Sequence, residues 1–246
     1  MPELPESMKT LQTRGVALWQ ASLDAGPQKT ARLEKLLSSE EIARAQRFLS
    51  ETHRRRFVAA HGILRQILGR VTGICPKHLE FADQGRGRPG LKNDLPFDFF
   101  CFNLSHSRDM MLLGVCLKGP VGVDVEWINP AAGISGLADR FFSSAEAREI
   151  RSRSRESAKA LFYQYWTLKE AYLKATGEGI ARLGDIEIRH RAGGGYGLAD
   201  CGCPMDEKWT ILPVFPRPEY AGAVAVKFVG PDFANIDDVS VHDARL

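Results

Sequence analysis

The chain has 246 residues, 44% of them hydrophobic, and a formal charge of +3, enough apolar material for one large domain or for two halves of ordinary domain size. So small a positive excess gives no ground for a nucleic-acid partner, and the clusters Arg54-Arg55-Arg56 and Arg151, Arg153 and Arg155 read as solvated helix faces. No apolar run has the length of a membrane span, the opening MPELPESMKT lacks a signal-peptide layout, and five scattered cysteines form neither a disulfide framework nor a zinc spacing, so a cytoplasmic globular protein with reduced thiols is expected.

Taken in chain order, Ser38-Ser39-Glu40-Glu41 has the S-x-x-E spacing of a capping box, which marks a helix start. Gly62 to Gly73 reads as a helix closed by Thr-Gly. Leu79-Glu80-Phe81 is strand-like, and Gly85 to Gly90 is a turn carrying Arg88, without the Gly-Lys-Ser/Thr ending of a P-loop. Phe102 to Ser107 reads as extended chain, which turns Ser105 and His106 to opposite faces and argues against a Ser-His nucleophile pair. Met111 to Leu117 is a further strand.

Gly122-Val123-Asp124-Val125-Glu126 alternates apolar and acidic residues, so a strand there points both carboxylates to one face. Two carboxylates in one small volume repel unless a proton or a cation lies between them, and hard oxygen ligands suit Mg²⁺. Ser143-Ser144-Ala145-Glu146 repeats the capping-box spacing. Trp166 to Lys174 reads as a helix whose Lys169, Glu170 and Lys174 are expected to offer an acid and two ammonium groups on one face; the plainer alternative is an ordinary Glu170/Lys174 i,i+4 pair. Strand-like stretches follow at Ile186 to Ile188 and Ala221 to Phe228.

Residues near 38 to 74 recur about 105 positions later, with Arg65 answering Lys169 and Gln66 answering Glu170. The expected fold class is therefore α+β: two similar halves packed about a pseudo-twofold axis with a cleft between them, not a doubly wound parallel sheet. The boundaries fall at 1–120 and 121–230, with a tail at 231–246.

The strings GVDVE and WTLKEAYLK, in this order, resemble the signature of the 4′-phosphopantetheinyl transferases, of the long, single-chain type exemplified by the surfactin synthetase activator. Gly87-Arg88-Pro89, Phe102-Asn103-Leu104-Ser105-His106-Ser107, and Arg140-Phe141-Phe142-Ser143 with Glu146 are similar to further blocks of that family. The resemblance implies transfer of phosphopantetheine from coenzyme A to a serine of an apo acyl or peptidyl carrier protein, by a monomer. It implies that Asp124, Glu126 and Glu170 hold Mg²⁺, that His106, Lys169 and Lys174 lie at the phosphates, and that Ser105 neighbours the nucleotide. Glu146 or Glu170 would be the proton acceptor. Arg88 stands where the family often has lysine, for the 3′-phosphate, with Arg44 and Arg56 as further candidates; where some relatives have an early lysine this chain has Glu41. A Mg²⁺-dependent hydrolase of coenzyme A or nucleotides, and a non-catalytic carrier-binding module, are the alternatives.

Overall fold

The computed structural model describes residues 11, 13, 15–83, 85, 89–95, 97, 99–191, 196–199, 209–227 and 241–244. The first part of the chain forms β1 (Val16–Ser22), α1 (Pro27–Glu34), α2 (Ser39–Gln46), α3 (Glu51–Thr72), β2 (Phe81–Asp83), β3 (Pro89–Leu91), β4 (Cys101–Ser107) and β5 (Met110–Cys116). The second forms β6 (Val121–Trp127), α4 (Ser135–Phe141), α5 (Ser144–Arg151), α6 (Arg155–Thr176), β7 (Ile188–His190), β8 (Tyr196–Leu198), β9 (Trp209–Val214), β10 (Tyr220–Lys227) and β11 (Val241–Asp243). The strands assemble as a four-stranded sheet β11-β1-β5-β4, a five-stranded sheet β6-β10-β9-β8-β7, and a small β2-β3 ribbon.

Both large sheets bury apolar residues on both faces, and the polar residues of β4 and β6 are the exception. In the first sheet Ala17, Trp19, Met111, Leu113 and Val115 pack under α3. Val16, Leu18, Met110 and Leu112 turn the other way, against Val121, Val123, Val125, Val224 and Val226 of the second sheet. That sheet places Ile211, Ala223 and Ala225 against α6. The result is four layers, helix, sheet, sheet, helix, with the helices outside.

The expected helices are present and begin earlier than their Thr-Gly ends suggest: α3 and α6 are each 22 residues long. Each ends in a left-handed glycine, Gly73 at φ 76° and Gly177 at φ 75°, a conformation that favours glycine. Both capping boxes form, with Ser38 and Ser143 each bonded to the backbone of a glutamate three residues on. The described end of the tail is structured: Val241–Asp243 runs parallel to β1 and adds an edge strand to the first sheet. Among the described residues, no helix is long and apolar enough to cross a membrane.

Candidate active site

Strands β4 and β6 are the facing edges of the two sheets, and side chains join them. Asn103 Oδ1 accepts from the Val123 amide at 2.9 Å, and Ser107 Oγ accepts from the Trp127 amide at 3.1 Å. The strands therefore run in the same direction, and the polar residues of Asn-x-Ser-x-Ser form a seam along β6. Ser105 Oγ donates to Asp124 Oδ1 at 2.8 Å and Ser107 Oγ to Glu126 Oε2 at 2.8 Å. The first part of the chain thus orients both carboxylates of the second. Sequence reading missed Asn103 and Ser107, although the polar alternation at 103, 105 and 107 was there to be seen.

Helix α6 crosses β6 on the face that carries Gly122, Asp124 and Glu126. Lys174 Nζ donates to Asp124 Oδ1 at 2.6 Å and to Ser105 Oγ at 3.1 Å, and lies 3.8 Å from Glu170 Oε2. Glu170 is pushed up to about 7, first by burial and then by the negative charge of Asp124, with Lys174 opposing. Glu126 is also raised, by burial and then by Asp124. Three carboxylates crowded in this way lack positive charge. Asp124 is 2% exposed, and its Oδ2 is buried with no hydrogen-bond partner, a lone-pair arrangement that suits a hard cation. As they stand, no three His, Cys, Asp or Glu side chains among the described residues converge closely enough to hold a metal. The ammonium of Lys174 is instead the nearest counter-charge to Asp124.

Lys169 and Glu146 belong to a different place. At 100° per residue, Lys169 and Lys174 stand about 140° apart around α6, so the expectation that they share a face fails on helix geometry. Lys169 is fully buried; it donates to Glu146 Oε2 at 2.5 Å and to the Leu183 carbonyl at 3.2 Å, with its Nζ 4.7 Å from the Phe142 ring centroid. Glu146, 2% exposed, also accepts from the Ser143 amide at 2.8 Å and from the Ile188 amide at 2.8 Å. With its oxygens so occupied, Glu146 ties α5, α6 and β7 together, and the Lys169 ammonium is engaged by Glu146 and the Leu183 carbonyl. The first part of the chain repeats the device: Glu41 of the other capping box accepts from buried Arg65 Nε at 2.7 Å, and the Arg65 guanidinium also reaches the Pro76 and Leu79 carbonyls at 2.8 and 3.1 Å.

His106 projects from β4 away from Ser105, as strand alternation requires, and its ring reaches solvent. Its pKa is lowered, first by partial desolvation and then by His61, Lys174 and Arg44. On that side lies a cavity of about 750 Å³ between α2, α3 and the β2-β3 ribbon, lined in part by Arg44, His61, Lys77, Lys92, Phe81 and Leu104. Arg44 faces it, its guanidinium 5.3 Å from the Phe57 ring centroid. Arg56 is otherwise engaged, in a two-pronged bond to Asp24 at 2.8 and 3.0 Å. Arg88 lies outside the described residues; its neighbour Pro89 lines the cavity.

Residues 120–225 match the 4′-phosphopantetheinyl transferase superfamily, and residues 19–117 match the 4′-phosphopantetheinyl transferase N-terminal family. The chain is 39% identical over 221 residues to the 4′-phosphopantetheinyl transferase HetI of Nostoc sp., covering 90% of this chain and 91% of HetI. It is 34% identical over 149 residues to the 4′-phosphopantetheinyl transferase psf-1 of Bacillus pumilus, covering 61% of each chain. It is 25% identical over 154 residues to the 4′-phosphopantetheinyl transferase Sfp of Bacillus subtilis, covering 63% of this chain and 66% of Sfp.

Proposed function

We propose, from the premise that the chain belongs to the 4′-phosphopantetheinyl transferase superfamily, that it moves the phosphopantetheine arm of coenzyme A onto a serine of an apo acyl or peptidyl carrier protein. The observation that carries this reading is the seam between β4 and β6, where Asp124, Glu126 and Glu170 crowd together and one buried carboxylate oxygen has no partner. These three residues would hold Mg²⁺, which when bound supplies positive charge at the pyrophosphate. The other roles belong to the chain itself. Ser105 and Ser107 keep Asp124 and Glu126 turned towards one another's side of the seam. Lys174 and His106 flank the place where charge develops and stabilise the departing phosphate.

In the reaction the carrier serine oxygen bonds to the phosphorus that bears pantetheine, and the bridging P–O bond breaks. The electrons leave with adenosine 3′,5′-bisphosphate, and the serine proton passes to a carboxylate. Glu146 already accepts from the Ser143 and Ile188 amides and from Lys169, so Glu170 is the acceptor of the two candidates. The nucleotide of the donor lies in the cavity of about 750 Å³ that Arg44 lines, with His106 close to Arg44; Arg88 is a further residue that the resemblance assigns to the 3′-phosphate. The carrier meets α4 and its surroundings, where Leu137 and Ile180 are exposed apolar residues. There Arg151 and Arg153 are already paired with Asp139 and Glu149, so Arg148 and Arg155 present the more available charge for an acidic carrier helix; an unchanged carrier KM in Arg148→Glu would remove that contact.

With both carboxylate and serine strands in one chain, the enzyme works as a monomer in the cytoplasm, and sedimentation at the 27.3 kDa chain mass is expected. The reaction is tested by intact-mass spectrometry of apo carrier proteins with coenzyme A and Mg²⁺. A gain of one phosphopantetheine that EDTA abolishes supports it; coenzyme A cleaved without any carrier gain would make the protein a hydrolase.

A further inference from the structure

We infer that His61 is a further specificity residue for the donor: Glu41 fixes its imidazole so that Nε2 addresses the phosphate monoester of the nucleotide in the cavity beside His106. The inference rests on the transferase reading and deepens it.

His61 Nδ1 lies 3.0 Å from Glu41 Oε1. Glu41 is pulled down to about 2 in spite of its burial, by its bonds to His61, the Ser38 amide and Arg65, so it is a carboxylate and can only accept. Nδ1 must therefore donate, and Nε2 is the ring nitrogen left for a ligand; it donates to a phosphate in the imidazolium form, where both nitrogens carry protons, with Glu41 and the phosphate as the two acceptors. The ring is held in place because it packs against Phe57, tilted by 31° at a centroid distance of 4.1 Å, and Arg44 lies against the same Phe57.

The composition of the cavity wall is what gives His61 weight. Arg44, Arg65, Lys77 and Lys92 are offset there by Glu40, Glu41, Glu80 and Asp83. Of the cations, the Arg65 guanidinium is consumed by Glu41 and by two backbone carbonyls. A wall so balanced does not attract a dianion by net charge; it needs fixed donors at one place. His61 supplies one, held by a charged partner and anchored by a ring. Its influence reaches His106, whose pKa is lowered first by desolvation and next by the charge of His61. Two imidazoles that repel one another as cations become compatible around an anion placed between them.

The test uses the full chain with Mg²⁺ and two donors, coenzyme A and 3′-dephospho-coenzyme A, with affinities measured by titration calorimetry. His61→Asn places an amide where Nδ1 stood, keeping the bond to Glu41 while removing the outer nitrogen. Loss of a hydrogen bond to a charged group corresponds to about tenfold to a hundredfold in affinity. The wild type should prefer coenzyme A, and His61→Asn should lose about that factor for coenzyme A while its affinity for the dephospho compound barely moves. His61→Gln, which returns a donor towards the position of Nε2, should recover part of the preference. An unaltered preference in His61→Asn, or an equal loss for both donors, overturns the inference and leaves His61 as a brace for Glu41. If the wild type binds donor but modifies no carrier, the transferase reading fails instead, and the binding preference still decides the role of His61.

Discussion

Gly122→Ala isolates the contact on which the site depends. A Cβ at this position of β6 would stand 2.0 Å from the Ala171 carbonyl oxygen and 2.5 Å from the Ala175 amide nitrogen. Both are backbone atoms of α6 and have no rotamer to escape into. To reach the ordinary contact distance of 3.4 Å from 2.0 Å, the helix must lift off the strand by about 1.4 Å. Glu170 and Lys174 ride on the helix, whereas Asp124 and Glu126 stay with the strand, so the lift enters their separation directly. Mg²⁺ demands near-ideal geometry with oxygens at about 2.0–2.1 Å, and misplacement by about 1 Å can cost a hundredfold in rate. The variant should fold, with a loss of about 1–3 kcal/mol from overpacking, and should transfer at least about a hundredfold more slowly at saturating Mg²⁺. Circular dichroism and thermal melting establish the fold, and initial rates of carrier modification by intact mass give the activity. Undiminished transfer by a folded Gly122→Ala would refute the claim that close approach of α6 to β6 sets the site.

The pKa of Glu170 makes a second prediction. Its folded value of about 7 lies above the ordinary 4.5, so between these pH values the folded metal-free protein holds a proton that the unfolded chain releases, and stability falls as pH rises, by up to about 3 kcal/mol. In EDTA, Glu170→Gln should therefore melt above the wild type at pH 8, with the gap closing near pH 5; a wild type equally stable at pH 8 would contradict this. Lys169→Met should leave Glu146 as a buried uncompensated charge and cost about 3–5 kcal/mol, read as a drop in melting temperature. An unchanged melting temperature with a raised KM for coenzyme A would instead return Lys169 to the phosphates, as the resemblance implied.

Local rules carried much of the fold. Both capping boxes, both Thr-Gly helix ends, and the strand placing Asp124 and Glu126 on one face were readable because each depends on neighbours a few residues apart. The starts of α3 and α6 were not, since Ser50 and Ser154 open helices whose first turns carry mostly polar, exposed residues and so lack an apolar period. The partition of the two lysines is already implied by helix geometry, which separates Lys169 from Lys174 although one short motif contains both. Glu146 looked catalytic from its block and structural from its capping box, and only the Ile188 amide and the Lys169 ammonium, 42 and 23 residues away, decide between the two. The same holds for Gly122, whose lack of a side chain gains its meaning from Ala171 and Ala175 across the layer.

The central claim is that the carboxylates on the β4-β6 seam make transfer depend on a divalent cation, and the most direct measurement is carrier modification across a Mg²⁺ titration for the wild type and Asp124→Asn side by side. The wild type should show saturable transfer that EDTA abolishes, while the folded variant, isosteric and still able to bond Ser105, should transfer nothing measurable at any Mg²⁺ concentration. Transfer by Asp124→Asn at a rate and Mg²⁺ dependence like those of the wild type would place the metal, and the chemistry, somewhere other than this seam.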